Sequence, residues 1–255
     1  MLTVTSLILV MSIIIFSRVE VDGQSDFLNN NFDSETATNS NRMLEPVVKL
    51  SMVIIPPYAS GASPSEGLLL GSATGFSIKY NSENDTSYLI TNDHFCVNFM
   101  QSRNAVMIVE NSDRPRISPS SGEFMTGQIV FSDSTKDLCL VQVRGFIRPA
   151  KLADRGYTAR QFEEITVVGA PTGTFPIITE SYISGNLSRD EVGLGSMTET
   201  GNDFLFLSAM IFPGHSGSPV YNSNREVIGV VFAALPTYGS IAIPINDLYE
   251  FLDEL

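Results

Sequence analysis

From Pro46 onward, short runs of apolar or alternating residues recur at close spacing, with turn-forming residues between them. The first series is VVKLSMVII (47–55), ATGFSIK (73–79), SYLIT (87–91), AVMIVE (105–110), GQIVF (127–131) and DLCLVQV (137–143). A second series follows: ITVVGA (165–170), FPIITESYIS (175–184), FLFLSAM (204–210), VIGVVFAA (227–234) and SIAI (240–243). Runs this short, rich in branched and aromatic residues and broken by polar turns, predict an all-β barrel or sandwich. The two series predict two β units of similar length, about 46–150 and 151–255, joined near Arg148 to Arg160. Helical spacing is read only in the last segment, where Ile245, Leu248, Leu252 and Leu255 fall on one face and Pro244 stands near the start.

Two stretches precede the β pattern. Residues 2–16, LTVTSLILVMSIIIF, are uncharged and apolar, yet shorter than the ~20 residues a spanning helix needs. Residues 1–23 therefore read as a secretory signal peptide, with Val21-Asp22-Gly23 as the cleavage site, and predict a secreted or extracytoplasmic protein. An uncleaved membrane anchor is the alternative, because Arg18 follows the apolar run. Residues 24–45 are dominated by Asn, Ser, Thr and Asp, and read as a flexible polar tether.

Composition narrows the function. The chain has 255 residues, 43% apolar and 17% charged, which suits a packed core. A net charge of -13 disfavours nucleic acid and anionic membrane surfaces as partners. Two cysteines without a C-x-x-C pair, and only 2 histidines, give no zinc framework, so no metal and no cofactor are expected.

Candidate chemistry starts at Pro213-Gly214-His215-Ser216-Gly217-Ser218-Pro219, which sets a serine between glycines before an apolar strand pair. Glycines there let backbone N–H groups approach a reacting carbonyl. A serine nucleophile needs a base, and the chain offers His94 and His215. His215 is the sequence neighbour of Ser216, and adjacent side chains diverge, so His94 is the base candidate. It is read as ending the strand SYLIT and opening a loop. No histidine follows Ser216, which excludes the chain order of α/β-hydrolases. Asp137, at the start of DLCLVQV, is preferred as the orienting acid over Asp133 in its polar turn. Asp93 would give the subtilisin order, which belongs to an α/β fold.

These residues resemble the trypsin-like serine proteases, and within them the protease domain of the HtrA (Deg) branch, over about residues 46–255. GSATGFSI (71–78) is similar to that branch's Gly-Ser-Gly-x-Gly-Phe segment, YLITNDHF (88–95) to its Leu-Thr-Asn-x-His-Val motif, and DLCLVQV to its Asp-Leu-Ala-Leu-Leu strand. VVGAPTG (167–173), ITESYISG (178–185), AMIFPGHSGSPVYNSNREVIGV (209–230) and SIAIPINDLYEF (240–251) resemble its later motifs. The resemblance implies two six-stranded β-barrels with a short C-terminal helix, a cleft between the barrels, and a triad of His94, Asp137 and Ser216. It implies serine endopeptidase activity on protein or peptide substrates, with the N–H groups of Gly214 and Ser216 as oxyanion hole. It also implies that Ala209, Met210, Ile211 and Phe212 line the primary pocket, and that Val231, Phe232, Ala233 and Ala234 form the edge where substrate pairs. With no acid in that wall, an apolar residue before the cut is expected. The PDZ domain that usually follows in the branch is not expected here.

Two departures from the pattern stand out. Ser218 replaces the second Gly after the nucleophile, and its Cβ is expected to crowd the cleft floor. His215 stands where the branch has Asn and digestive relatives have an Asp, so zymogen activation through that Asp has no partner. These two residues support the alternative of a catalytically silent module that binds peptides or partner proteins. Cys96 and Cys139 each lie two residues beyond a triad member, and a disulfide and two buried thiols both remain open. The sequons at Asn84 and Asn186 are read as unmodified.

Overall fold

The computed structural model describes residues 42–54, 67–102, 105–111, 125–192, 202–235 and 238–255. The expected signal segment, and the tether up to residue 41, lie outside the described residues. Strands β1 (Val47–Ile54), β2 (Leu68–Asn81), β3 (Thr86–Thr91), β4 (Ala105–Asn111), β5 (Met125–Asp133) and β6 (Leu138–Arg144) form one closed barrel in the order β1-β2-β3-β6-β5-β4. Strands β7 (Glu164–Gly169), β8 (Ile177–Leu187), β9 (Phe204–Leu207), β10 (Pro219–Asn222), β11 (Val227–Leu235) and β12 (Gly239–Pro244) form a second, in the order β10-β11-β12-β9-β8-β7. All strand pairs within both barrels are antiparallel. Helix α1 (Asp93–Gln101) follows β3, and helix α2 (Ile245–Asp253) closes the chain.

Side-chain alternation explains why many of these strands read as continuous apolar runs. In β1, Val48, Leu50 and Met52 fill the first barrel, whereas Val47 points outward into a cluster shared with the second barrel. In β6, Cys139, Val141 and Val143 point inward while Leu138 and Leu140 join the shared cluster. Strand β11 divides likewise, with Ile228 and Val231 inside the second barrel and Val227, Val230 and Phe232 in the shared cluster. Both faces of these strands are buried, so hydrophobic residues occupy successive positions.

Three elements differ from the sequence reading. His94 lies in the first turn of α1 rather than in a loop: Phe95 and Cys96 are buried and Phe99 packs beside them, a helical spacing of one and four too short to stand out behind the polar Asn92-Asp93 pair. The C-terminal helix buries Ile245, Leu248 and Phe251, while Leu255 is 60% exposed beyond its end. Packing also begins inside the stretch read as a tether: residues 42–44 form a helical turn, Met43 and Leu44 lie against the shared cluster, and the Tyr221 hydroxyl donates to Met43 O at 3.1 Å.

Candidate active site

Strand register brings the proposed base and acid together. Thr91 of β3 pairs with Cys139 of β6, so the residues just beyond β3 meet those just before β6. Asp137 ends the β5–β6 turn at φ 53°, a left-handed conformation that Asp tolerates better than most residues. Its carboxylate accepts twice from His94: Oδ1 from the backbone N–H at 2.8 Å, and Oδ2 from Nδ1 at 2.8 Å. Asn92 Nδ2 donates to the Asp137 carbonyl at 3.1 Å and fixes the other side of the turn. With Nδ1–H directed at Asp137, the imidazole keeps Nε2 as its free lone pair. A disulfide between Cys96 and Cys139 fastens α1 to β6 immediately behind this contact, which decides between the two cysteine readings.

The other acids are occupied elsewhere. Asp133 Oδ1 accepts from Thr135 N and Oγ1 at 2.8 and 2.7 Å, and Oδ2 pairs with Lys136 at 3.2 Å. Asp93 is 4% exposed, faces Ser132, and is held above the usual carboxylate range chiefly by burial. Burial pulls the His94 imidazole down, but its bond to Asp137 and the charges of Asp137 and Asp93 outweigh this, so the net shift is upward. His215 is 1% exposed, and burial pushes its imidazole below the ordinary histidine value.

Ser216 lies in the loop between β9 and β10 and lines, with Gly214 and His94, a cleft of about 540 Å³. Met52, Leu70 and Ala73 of the first barrel, and Asn98 and Gln101 of α1, complete much of its wall. The backbone of the loop is tied down from the side away from the cleft. Pro213 O accepts from Thr172 N at 2.7 Å, and His215 O accepts from Ser218 N at 2.8 Å. In a trans peptide the N–H points opposite to the carbonyl, so the amides of Gly214 and Ser216 are turned away from those partners. Among the described residues neither amide donates to another group. Gly214 has φ 103°, and a Cβ there would collide with Ala170 O, so only glycine fits.

Ser218 is not on the cleft floor. It is fully buried, its carbonyl accepts from Val231 N at 2.8 Å, and its Oγ lies where a Cβ on Gly169 would otherwise project. The residues expected along the substrate path divide by burial. Met210 and Phe212 are 71% and 54% exposed, whereas Ala209 and Ile211 belong to the interior of the second barrel. Val231 is buried, and both its backbone groups bond to the Ser216 loop, through Gly217 N and Ser218 O. Beyond it, Phe232 is the bulged residue of β11; its ring stacks on Phe204 at 5.2 Å and meets His94 edge-on at 6.3 Å. Ala233 and Ala234 follow on a stretch of β11 that β10 does not reach.

One residue passed unremarked in the sequence. Thr74 of β2, 0% exposed, bonds to the Ser216 loop, to the residue after β7 and to Thr91. A single threonine in an apolar strand carries no pattern that would announce this.

A pair of closed antiparallel barrels with a histidine–carboxylate contact and a glycine-flanked serine on one cleft defines a class, the trypsin-like peptidases. The family model for the trypsin-like peptidase domain matches residues 73–230, and the chain belongs to that family. Among curated relatives it is similar to "Serine protease Do-like HtrB" of Bacillus subtilis, 26% identical over 89% of this chain and 50% of that protein. It is also similar to "Serine protease Do-like HtrA" of the same organism, at 27% identity over 77% and 42% of the two chains, and to "Serine protease HtrA-like" of Staphylococcus aureus, at 26% over 89% and 29%. The chain thus spans half or less of the length of these relatives. Among the described residues no group of three or more His, Cys, Asp and Glu is placed to hold a metal ion, and no helix is long and apolar enough to cross a membrane.

Proposed function

We propose that the protein is a serine endopeptidase that cuts peptide bonds through an acyl-enzyme intermediate. Ser216 Oγ attacks the scissile carbonyl while His94 Nε2 takes the hydroxyl proton. Asp137 holds the Nδ1–H tautomer and stabilises the imidazolium that forms. The negative charge on the carbonyl oxygen is met by the N–H groups of Gly214 and Ser216. His94 then delivers the proton to the leaving amine, and a water molecule repeats the sequence in reverse to free the acid product. The observation that carries this reading is the two-point bond of His94 to Asp137 beside a cleft that Ser216 also lines.

Substrate is read as adding a strand to β11 from Phe232 to Ala234, with its side chain before the cut directed toward Met210, Ile211 and Phe212. That wall carries no charge, so apolar residues are favoured there. Export is part of the same reading: residues 1–23 act as the signal, and a buried disulfide suits an oxidising compartment.

Purified protein is expected to digest unfolded casein, with cuts mapped by mass spectrometry falling after apolar residues. Ser216→Ala should abolish cleavage while leaving the thermal midpoint near that of the parent. Cuts mainly after Arg or Lys would overturn the specificity, and an undiminished Ser216→Ala variant would overturn the mechanism.

A further inference from the structure

Resting on the peptidase reading, we propose that Thr74 is a positioning residue that holds the oxyanion amides in register from across the barrel interface. Its hydroxyl donates to Gly214 O at 2.7 Å and accepts from Ala170 N at 3.0 Å. Its backbone N–H donates to Ser216 O at 2.9 Å, and its carbonyl accepts from Thr91 Oγ1 at 2.8 Å, three residues before His94. Every polar atom of one buried residue is therefore bonded to a segment that carries or supports the site.

The chemistry demands a hydroxyl. Gly214 O can only accept and Ala170 N can only donate, so the group between them must do both, which Ser and Thr side chains do and a methyl cannot. The two bonds join the nucleophile loop to the turn after β7, and that same turn supplies Thr172 N to Pro213 O at 2.7 Å. Pro213 O and Gly214 N–H belong to one peptide plane. While the carbonyl is held by Thr172, the N–H is turned away from it; once the turn drifts, the plane is free to rotate and the donor is lost. Gly217 shows how closely Thr74 seats: at φ 82° it has no Cβ, and one there would collide with Thr74 O and Thr91 Oγ1. Thr74 is fully buried and does not line the cleft, so it acts through the amides alone.

The predicted signature is a loss in turnover without a loss in ground-state binding. Removing one oxyanion donor typically costs ~10²–10³ in kcat, and partial misplacement should cost less. Thr74→Val, nearly isosteric, is expected to lower kcat about tenfold or more with KM within about twofold. It should weaken a peptide aldehyde, which binds as an oxyanion, by a similar factor to its loss in kcat/KM. Thr74→Ser restores both hydroxyl bonds and should recover most of the turnover. Backbone hydrogen exchange read on the same variants gives the clamp independently of activity: the amides of Ala170 and Thr172 should exchange faster in Thr74→Val and not in Thr74→Ser. Should Thr74→Val fail to fold, Thr74→Ser still decides, because a serine variant as slow as an alanine variant removes the role of the hydroxyl. Unchanged kcat in Thr74→Val overturns the proposal, as does a KM rise that accounts for the whole loss. A parent protein that cuts nothing overturns the peptidase reading and the positioning role with it, and the exchange experiment then reports the structural clamp alone.

Discussion

At the scale of single residues, the 2 histidines of the chain sit in opposite electrostatic settings. Burial disfavours the charged form of both, but in His94 the Asp137 and Asp93 carboxylates outweigh it, whereas His215 faces no charge that does so. His94 is raised on folding, so its contribution to stability is full below the unfolded value near 6.5 and is lost as pH rises through the folded value. His215 is lowered, so its contribution is present above the unfolded value and is lost as pH falls through the folded one. Two resolved imidazole Cε1 proton resonances should therefore titrate on either side of 6.5. The reading needs neutral His94 for catalysis, so the acid limb of kcat/KM should follow the higher of the two. Asp93→Asn, which removes one of the charges that raise His94, is expected to move that limb to lower pH. A limb that stays in place would show that Asp93 does not act on the base.

At the scale of elements, the disulfide joins the first turn of α1 to β6 directly behind the histidine–carboxylate contact, with both sulfurs at zero exposure. Cys96→Ala/Cys139→Ala should lose about 2–4 kcal/mol of stability in urea titrations, with turnover falling because α1 is no longer fastened. Full stability and full activity in that variant would mean the barrel alone positions His94. Most strands were legible from the sequence because apolar runs bounded by polar turns are a local signal. Helix α1 was not: the polar Asn92-Asp93-His94 reads as the start of a loop, and the nine residues of the helix are too few to display a helical period. Strand β10 has only four residues, Pro219–Asn222, too few to show an alternation of their own. From the residues without the family resemblance, the Asp137 contact was legible only as a preference among acids; the β3–β6 register and the left-handed φ that deliver it are tertiary facts. Thr74 was illegible for the same reason, since its partners lie 96 and 140 residues away in sequence.

At the scale of the whole molecule, the largest cluster belongs to neither barrel alone. Val47, Phe76, Ile90, Leu138 and Leu140 from the first pack with Phe204, Tyr221, Val230 and Phe232 from the second, and α2 adds Ile245, Leu248 and Phe251. Helix α2 packs on β11 and β12 of the second barrel and reaches the first through Phe251 against Phe131 at 5.2 Å and, just past its end, the Lys136–Glu254 ion pair at 2.8 Å. Shared burial couples the two halves, so calorimetry should show one unfolding transition, and Phe251→Ala should destabilise it by about 3–5 kcal/mol. Two separated transitions would contradict a common core. The cleft between the barrels inherits its geometry from this packing, because His94 and Asp137 come from one barrel and Ser216 from the other. The measurement that bears most directly on that geometry is covalent labelling with a fluorophosphonate, followed by peptide mass mapping. The expected result is one adduct per chain, on the peptide containing Ser216, absent from Ser216→Ala and strongly slowed in His94→Ala. A folded protein that takes up no label, or takes it on another serine, would contradict the assignment of these three side chains.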